Sequence, residues 1–206
     1  MTDVLEIDGR AWTAAELAAL TEPLHVKGDL DLSEWPHPLP TLASIDGWAD
    51  LRNYQHALPT LASIDGNAYL EGYLHALPAL ATIGGWADLR GYQHALPALT
   101  SIGRWAILEG FQGALPPWLI DGGKDSRGYY FTGMLVAGKW RIRAGCRDFS
   151  LEKAREHWGA CGESDRPDCL ALVKKIAAEI ERRAALDRVM TATAKTSAGQ
   201  LTESES

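Results

Sequence analysis

The segment Leu39–Ala57 reads LPTLASIDGWADLRNYQHA, and the chain repeats this pattern every 19 residues. The pattern restarts in register at Leu58-Pro59, Leu77-Pro78, Leu96-Pro97 and Leu115-Pro116. A unit this short cannot bury its own apolar side chains, so consecutive units must stack to form a core. The period therefore predicts a solenoid, and function should be sought in the columns of side chains that stacking creates.

Two apolar columns lie two positions apart, which is the spacing of a strand with one face on the core. They are Leu30/Ala49/Ala68/Ala87/Ala106 and Leu32/Leu51/Leu70/Leu89/Leu108. Further columns predicted to point inward are Leu58/Leu77/Leu96/Leu115, Leu42/Leu61/Leu80/Leu99 and Ile45/Ile64/Ile83/Ile102. A glycine column marks the turn into each strand: Gly28, Gly47, Gly66 and Gly85.

By alternation, three other columns are predicted to face solvent. They are Asp29/Trp48/Asn67/Trp86/Trp105, Asp31/Asp50/Tyr69/Asp88/Ile107 and Ser33/Arg52/Glu71/Arg90/Glu109. Stacked strands lie ~4.8 Å apart, so side chains of neighbouring units touch. We interpret the alternating charge of the third column as a ladder of surface ion pairs, each contributing about 0–1 kcal/mol.

Composition excludes several classes of protein. The 206 residues are 46% hydrophobic and 23% charged, as in ordinary soluble proteins. No apolar run reaches the ~18 residues of a membrane span, and the first twenty residues lack a signal-peptide pattern. From Lys27 to Ile120 there are nine Asp and Glu against four Lys and Arg, which disfavours nucleic-acid binding along the solenoid. We expect a cytoplasmic protein without membrane contact; its oligomeric state stays open.

The whole chain is predicted to be a mainly β solenoid of about five units between two caps. The predicted boundaries are 1–24 for the N-terminal cap, 25–120 for the solenoid, 121–190 for a C-terminal α+β cap and 191–206 for a disordered tail. In the first cap, Asp8-Gly9 turns a short hairpin and a capping box at Thr13–Glu16 opens a short helix.

The C-terminal cap is predicted to contain a hairpin and two helices. A polar, glycine-rich link over residues 121–128 is followed by a hairpin that turns at Ala137-Gly138. Ser150 is a good N-cap for a helix that stops at Gly159, and a second helix begins at Pro167.

These patterns resemble a known family. Gly28–Leu32, with its L-x-L strand, followed by Leu39-Pro40, is similar to the bacterial leucine-rich repeat in an unusually short form. Residues 128–159 are similar to the tail segment of bacterial and prophage repeat proteins. Trp35, Tyr54, Tyr73, Tyr92 and Phe111 stand where the family places an asparagine ladder, so a tighter β-solenoid is an alternative to the horseshoe. The resemblance implies partner binding through an exposed strand face, without catalysis, in a bacterial or phage-infected cell.

Two sets of residues have the chemistry of metal ligands. His37, His56, His75 and His94 share one repeat position, so their imidazoles could hold zinc or copper or act as a pH-sensitive column. A structural residue copied with the unit is the simpler interpretation. The second set is Cys146, His157, Cys161 and Cys169, which lacks paired CxxC spacing; a Cys161–Cys169 disulfide or free thiols are the alternatives. We expect no metal and no cofactor.

Two further groups have ordinary structural interpretations. The column Tyr54/Tyr73/Tyr92/Phe111 is predicted to pack a corner of the solenoid. The basic cluster Lys139, Arg141, Arg143 and Arg147 could hold an acidic partner or a phosphate, or it could be the solvated face of the hairpin.

The chain has no catalytic motif, so we expect no enzymatic activity. The leading hypothesis is a protein-interaction module, because exposed aromatic and arginine side chains dominate protein interfaces. The predicted partner-binding residues are Trp48, Trp86, Trp105, Asp50, Tyr69, Asp88, Arg52 and Arg90. One alternative is an acidic inhibitor or decoy of a nucleic-acid enzyme or defence complex, encoded by a phage or mobile element. Another is a metal-binding protein that uses the histidine column.

Overall fold

The computed structural model describes residues 4–160, 162, 164 and 166–203, with side chains as far as residue 190. The chain begins with an antiparallel hairpin of β1 (Val4–Ile7) and β2 (Arg10–Thr13). Helix α1 (Ala14–Ala18) follows, and its capping box is complete: the Thr13 hydroxyl accepts from the Glu16 N–H, and the Glu16 carboxylate accepts from the Thr13 N–H. The predicted N-terminal hairpin and helix are confirmed.

The repeats form a β-solenoid, as the period predicts, and it has about four turns where about five units were predicted. One parallel five-stranded sheet contains β3 (Leu24–Val26), β5 (Leu42–Ile45), β7 (Ser63–Ile64), β9 (Thr82–Ile83) and β11 (Ser101–Ile102). The other contains β4 (Leu30–Asp31), β6 (Ala49–Asp50), β8 (Ala68–Tyr69), β10 (Ala87–Asp88) and β12 (Ala106–Ile107). Each strand pairs with the strand one repeat away, for example Ala49 with Ala68. The repeat period is therefore also the register of both sheets.

The columns predicted to point inward form the core. Their side chains are at most 3% exposed, apart from the half-buried Leu115 in the last unit. The turn after the second strand is closed by a backbone bond such as Leu51 C=O to Tyr54 N–H, 3.1 Å. The third residue of that turn has positive φ, 60° at Asn53 and 75° at Gly72, which is why asparagine or glycine stands there.

The glycine column between the two sheets is required by close approach of successive turns. The N–H of Gly66 donates to the carbonyl of Gly47 at 2.8 Å. A Cβ on Gly66 would lie 2.5 Å from that carbonyl oxygen, whereas a Cβ on Gly28, in the first turn, would meet nothing nearer than Asp8 at 3.8 Å. The glycines therefore set how tightly the turns stack.

The C-terminal cap is an antiparallel sheet covered by helices. Its strands run in the order β13 (Leu119–Lys124), β14 (Tyr130–Val136), β15 (Lys139–Ala144) and β16 (Arg147–Ser150). Helix α2 (Leu151–Trp158) has Ser150 as its N-cap and ends at Gly159, and helix α3 (Pro167–Glu203) follows. The predicted hairpin, turning at Ala137-Gly138, and both helix starts are confirmed.

Two expectations for this region differ from the structure. The segment predicted as a polar link contains most of β13, which crosses the predicted boundary at residue 120 and pairs with β14 despite its glycines. Helix α3 continues from residue 191 to Glu203, where composition predicts disorder. Extending an existing helix adds one hydrogen bond for each residue that is ordered. Residues that form helices weakly can therefore continue a helix whose first turns are well packed. The last three residues of the predicted tail lie outside the described residues.

The cap joins the solenoid through its sheet. Leu119 and Met134 belong to the solenoid core, while Phe131, Ile142 and Ile176 belong to a second core under the helices. Within the described residues, no helix is both long enough and apolar enough to span a membrane.

Candidate protein-interaction surface

The aspartates of the predicted binding face are buried. Asp50 is 4% exposed and Asp88 is 2% exposed, whereas alternation predicted both to face solvent. The Asp50 carboxylate accepts a hydrogen bond from the backbone N–H of Arg52 at 3.0 Å, and Asp88 does the same for Arg90 at 3.2 Å. Each aspartate thus folds back over its own strand end and closes the following turn, a common role of Asp. The prediction that these two carboxylates face solvent is wrong, and contact of Asp50 and Asp88 with a partner stays an untested prediction.

The same aspartates fix the arginines beside them. Arg52 Nε lies 2.9 Å and 3.0 Å from the two carboxylate oxygens of Asp50, and Arg90 makes the equivalent bonds to Asp88. The arginine side chains remain 47% and 42% exposed. Two solvent-facing guanidinium groups are therefore held in one orientation by buried carboxylates, and the pKa of each arginine is raised, mainly by its hydrogen bond to that aspartate.

The alternating charge column is only partly a ladder. Arg90 forms an ion pair with Glu71 of the preceding turn at 3.0 Å, in addition to its bond to Asp88. Glu109 pairs with Lys124 of β13, outside the column. The charges of this face are therefore largely compensated within the protein.

Beside the arginines, four aromatic rings form a continuous surface, which we name the aromatic ridge: Trp48, Tyr69, Trp86 and Trp105. Ring centroids are 6.2 Å apart for Trp48 and Tyr69, and 4.7 Å apart for Tyr69 and Trp86. Trp86 and Trp105 are stacked at 6.0 Å with an interplanar angle of 3°. All four side chains are half-buried, so one part of each ring packs on a neighbour and another part faces solvent.

The residues of the ridge come from two versions of the repeat that alternate along the central turns. Residues 48–56 and 86–94 are identical except at position 53/91, while the intervening turn carries Asn67 and Tyr69 where those turns carry Trp and Asp. The short Asn67 side chain accepts a hydrogen bond from the Trp86 N–H at 3.1 Å. Tyr69 comes from the adjacent column and contacts both tryptophans, so the row of rings is unbroken although the tryptophan column is interrupted.

Histidines of the repeated column form hydrogen bonds to backbone carbonyls through their imidazole rings. Nε2 of His56, His75 and His94 lies 2.7–2.8 Å from the carbonyl of a residue in the preceding turn. Because a carbonyl only accepts, Nε2 must carry the proton. Each ring also packs edge-on against the aromatic residue two positions before it, as His37 does against Trp35. The geometry supports the interpretation of a structural residue repeated with the unit.

The tyrosine column packs the adjoining corner, as predicted. Tyr54, Tyr73 and Tyr92 are at most 2% exposed, and successive rings stack at 6.4 Å. Each hydroxyl donates to a histidine carbonyl of the preceding turn, 2.9 Å for Tyr54 and 3.0 Å for Tyr73 and Tyr92. Burial raises the pKa of all three, for Tyr92 to about 12.

The predicted cysteine set does not share one environment. Cys146 is exposed in the turn between β15 and β16, whereas Cys169 is buried on α3. His157 is buried against Phe149 and Trp158, with both centroid distances 5.0 Å. Cys161 lies outside the described residues.

One group of potential metal ligands appears that sequence spacing did not suggest. Ligand atoms of Asp125, Asp168 and Cys169 lie within 4.8 Å of one another. A guanidinium already supplies positive charge here, since Arg166 lies 2.8 Å from Asp168 and 3.5 Å from Asp125. Its hydrogen bond lowers the pKa of Asp168, and burial raises the pKa of Cys169 to about 11. This arrangement ties the start of α3 to the loop before β14.

The four residues of the predicted basic cluster lie on two strands and have different surroundings. Arg141 bonds to Asp148 at 2.8 Å, and Arg143 reaches the last solenoid turn, where it donates to the Gly103 carbonyl at 2.9 Å. Lys139 is exposed at the start of β15, and Arg147 is exposed at the start of β16. The cluster is therefore not one cationic patch.

No protein-family model, curated protein or solved structure matches the chain. The fold rests on the repeat geometry, and no family is assigned.

Proposed function

We propose that the protein is a non-enzymatic interaction module that binds a protein partner through the aromatic ridge and the flanking Arg52 and Arg90. The observation that carries the proposal is the unbroken row of four half-buried rings on one face of the solenoid. Tryptophan, tyrosine and arginine are the side chains that most often dominate interface energies.

The rigidity of this face supports the same role. Tyr69 ends strand β8, each tryptophan directly precedes a paired strand, and the two arginines are held by buried aspartates. A partner would therefore lose little affinity to ordering these side chains, which otherwise costs about 0.5–1.5 kcal/mol for each long side chain.

The resemblance to bacterial leucine-rich repeats and prophage repeat proteins also supports partner binding, in a bacterial or phage-infected cytoplasm. An acidic decoy is less well supported, because Asp50 and Asp88 are turned inward and neutralised by arginine. The face that binds would then be apolar and nearly neutral rather than a mimic of phosphate charge.

Quantitative affinity capture tests the proposal. The variant Trp48→Ser/Trp86→Ser removes two rings of the ridge, and Leu74→Ser is the matched control because Leu74 is 59% exposed at a corner loop of the solenoid. Proteins bound by the wild type and by the control should be lost by the ridge variant. With a purified partner, the loss should be about 2 kcal/mol or more, roughly thirtyfold in Kd.

Two results would overturn the proposal. One is recovery of the same proteins by the ridge variant while its circular dichroism spectrum and melting temperature are unchanged. The other is unfolding of the ridge variant, which would make the rings part of the core.

A further inference from the structure

A cleft lies where the last solenoid turn meets the C-terminal sheet. The side chains that line this junction cleft include Arg104, Trp105, Arg143, Cys146, Arg147 and Asp148, and its volume is about 330 Å³. Small-molecule sites typically measure ~300–1,000 Å³ and combine an apolar wall with a few placed polar groups. The cleft has that composition and borders one end of the aromatic ridge, with which it shares Trp105.

The floor of the cleft is held in place by Arg143, and its one carboxylate lies between two arginines. Arg143 joins the cap to the last turn through the Gly103 carbonyl at 2.9 Å, and its side chain is 12% exposed. The carboxylate of Asp148 accepts from Arg141 at 2.8 Å and lies 3.7 Å from Arg143. The acid lining the cleft is thus compensated and does not repel an anion.

Two other cations line the cleft without such compensation. Arg104 and Arg147 are exposed, and neither has an acidic partner among the residues that the structure describes. They come from different parts of the fold, Arg104 from the solenoid and Arg147 from β16. An unpaired guanidinium binds phosphate well, because its planar N–H groups match two phosphate oxygens.

Trp105 supplies a flat apolar wall beside these cations. Trp86, in the preceding turn, covers one face of the indole in parallel stacking at 6.0 Å. Trp105 lines the cleft together with Arg143–Asp148 of the cap, whereas Trp86 is absent from the lining, so we place the cleft beside the part of the indole that Trp86 leaves uncovered. A planar ring can continue the stack there, since aromatic side chains stack on nucleobases with little sequence preference.

We propose that the junction cleft binds a mononucleotide, with its phosphate between Arg104 and Arg147 and its base against Trp105. This ligand class satisfies both features at once, because a free phosphate leaves the indole unused and a nucleoside leaves the two cations unused.

The exposed Cys146 in the wall of the cleft gives a direct readout. Its alkylation by iodoacetamide can be followed by mass spectrometry of its own peptide, separately from Cys169, whose burial raises its pKa to about 11. The probes are AMP, GMP, CMP and UMP, each compared with its nucleoside and with inorganic phosphate. At ten times its Kd, a nucleotide that fits should slow alkylation about tenfold, because about nine-tenths of the clefts are occupied.

Substitutions in the cleft test which side chains contact the nucleotide. Arg104→Gln and Arg147→Gln should each abolish the protection by nucleotide, and Trp105→Leu should reduce it to the level given by inorganic phosphate. Arg155→Gln removes an exposed arginine of α2 outside the cleft and should change nothing. Melting temperatures of all variants should match the wild type, so that lost protection reports lost binding.

The proposal fails if none of the four mononucleotides slows alkylation of Cys146. It also fails if nucleoside or phosphate alone protects as well as the nucleotide, or if Arg155→Gln costs as much protection as Arg147→Gln. The cleft shares only Trp105 with the aromatic ridge, and the test of the protein partner changes Trp48 and Trp86, so failure of this proposal leaves the proposed protein partner untouched.

Discussion

Replacing Leu70 with aspartate should break the solenoid in its middle. Leu70 is 0% exposed and packs between turns, where leucine truncation alone costs about 2–5 kcal/mol. A carboxylate there adds a desolvation penalty of several kcal/mol, so we expect a total above about 5 kcal/mol. Since ~1 kcal/mol shifts the melting temperature of a chain of this size by about 2–4 °C, the midpoint should fall by about 10–20 °C or more.

The matched control is Asn67→Asp, three residues away on the opposite face of the strand. The Asn67 side chain accepts from the Trp86 N–H at 3.1 Å, and Asp29 already does the same for Trp48 at 2.8 Å. The change should therefore stay within about 0.5 kcal/mol. Thermal unfolding followed by circular dichroism compares the two, and Leu70→Ala supplies a measurable midpoint if Leu70→Asp does not fold. Equal midpoints for the two aspartate variants would show that the faces are reversed and that the aromatic ridge is core.

Two more predictions concern contacts between turns. Gly66→Ala should lower the free energy of unfolding, measured in urea, by about 1–3 kcal/mol or more, because the new Cβ would meet the backbone of the preceding turn. Gly28→Ala is the control, because its Cβ would meet no backbone, and it should be neutral or slightly stabilising. Similar urea midpoints for the two variants would contradict the argument from close approach. Tyr92→Phe should cost about 1–2 kcal/mol at neutral pH through the lost bond to the His75 carbonyl. Because burial raises the pKa of Tyr92 from 10.0 to about 12, its stabilisation is complete below pH 10 and declines as the pH rises toward 12. The wild type should then lose stability more steeply than Tyr92→Phe across this window, and parallel urea midpoints would refute the shift.

Periodicity alone was sufficient to predict the core. Side chains spaced two apart and repeated every 19 residues must share one face of a stacked strand, and Leu51, Leu70 and Leu89 are at most 1% exposed. The capping box at Thr13 and the Ser150 N-cap were predictable for a similar reason, because each depends on residues within one turn of helix.

The orientation of Asp50 and Asp88 could not be obtained from alternation. Alternation gives the direction of Cβ, but a short acceptor can turn back to bond the N–H two residues ahead. A signal existed: Asp31, Asp50 and Asp88 are each followed two positions later by Ser or Arg, and each accepts from that backbone N–H. The pattern D-x-[SR] at a strand end thus indicated a capped turn rather than a free acidic column.

The junction cleft and strand β13 were harder to predict from the sequence than the core or the capped turns. Arg104 and Arg147 are separated by more than forty positions and meet only because the cap folds onto the last turn. Gly122 and Gly123 lower the strand propensity of Leu119–Lys124, so this segment does not look like a strand in the sequence. In the structure there is no room for a side chain at Gly122, because a Cβ there would lie 2.7 Å from the Phe131 carbonyl oxygen. Close packing of β14 and α3 over this strand requires glycine, a tertiary cause that local propensity does not contain.

The columns of this solenoid fall into two kinds, and the difference separates the core from the surface that we propose binds a partner. The leucine, isoleucine and tyrosine columns keep one residue type through the central turns because each member contacts the same residue of the next turn. Two outward columns change residue type from turn to turn, Trp48/Asn67/Trp86 and Arg52/Glu71/Arg90, although the strands of these turns pair in the same register. Stacking therefore does not dictate which residue stands at these positions, since both versions of the turn occur in the same stack. Because repeats contact only their neighbours, such positions can be changed with little effect on the stack, which makes the aromatic ridge separable from folding and its role in binding open to direct test.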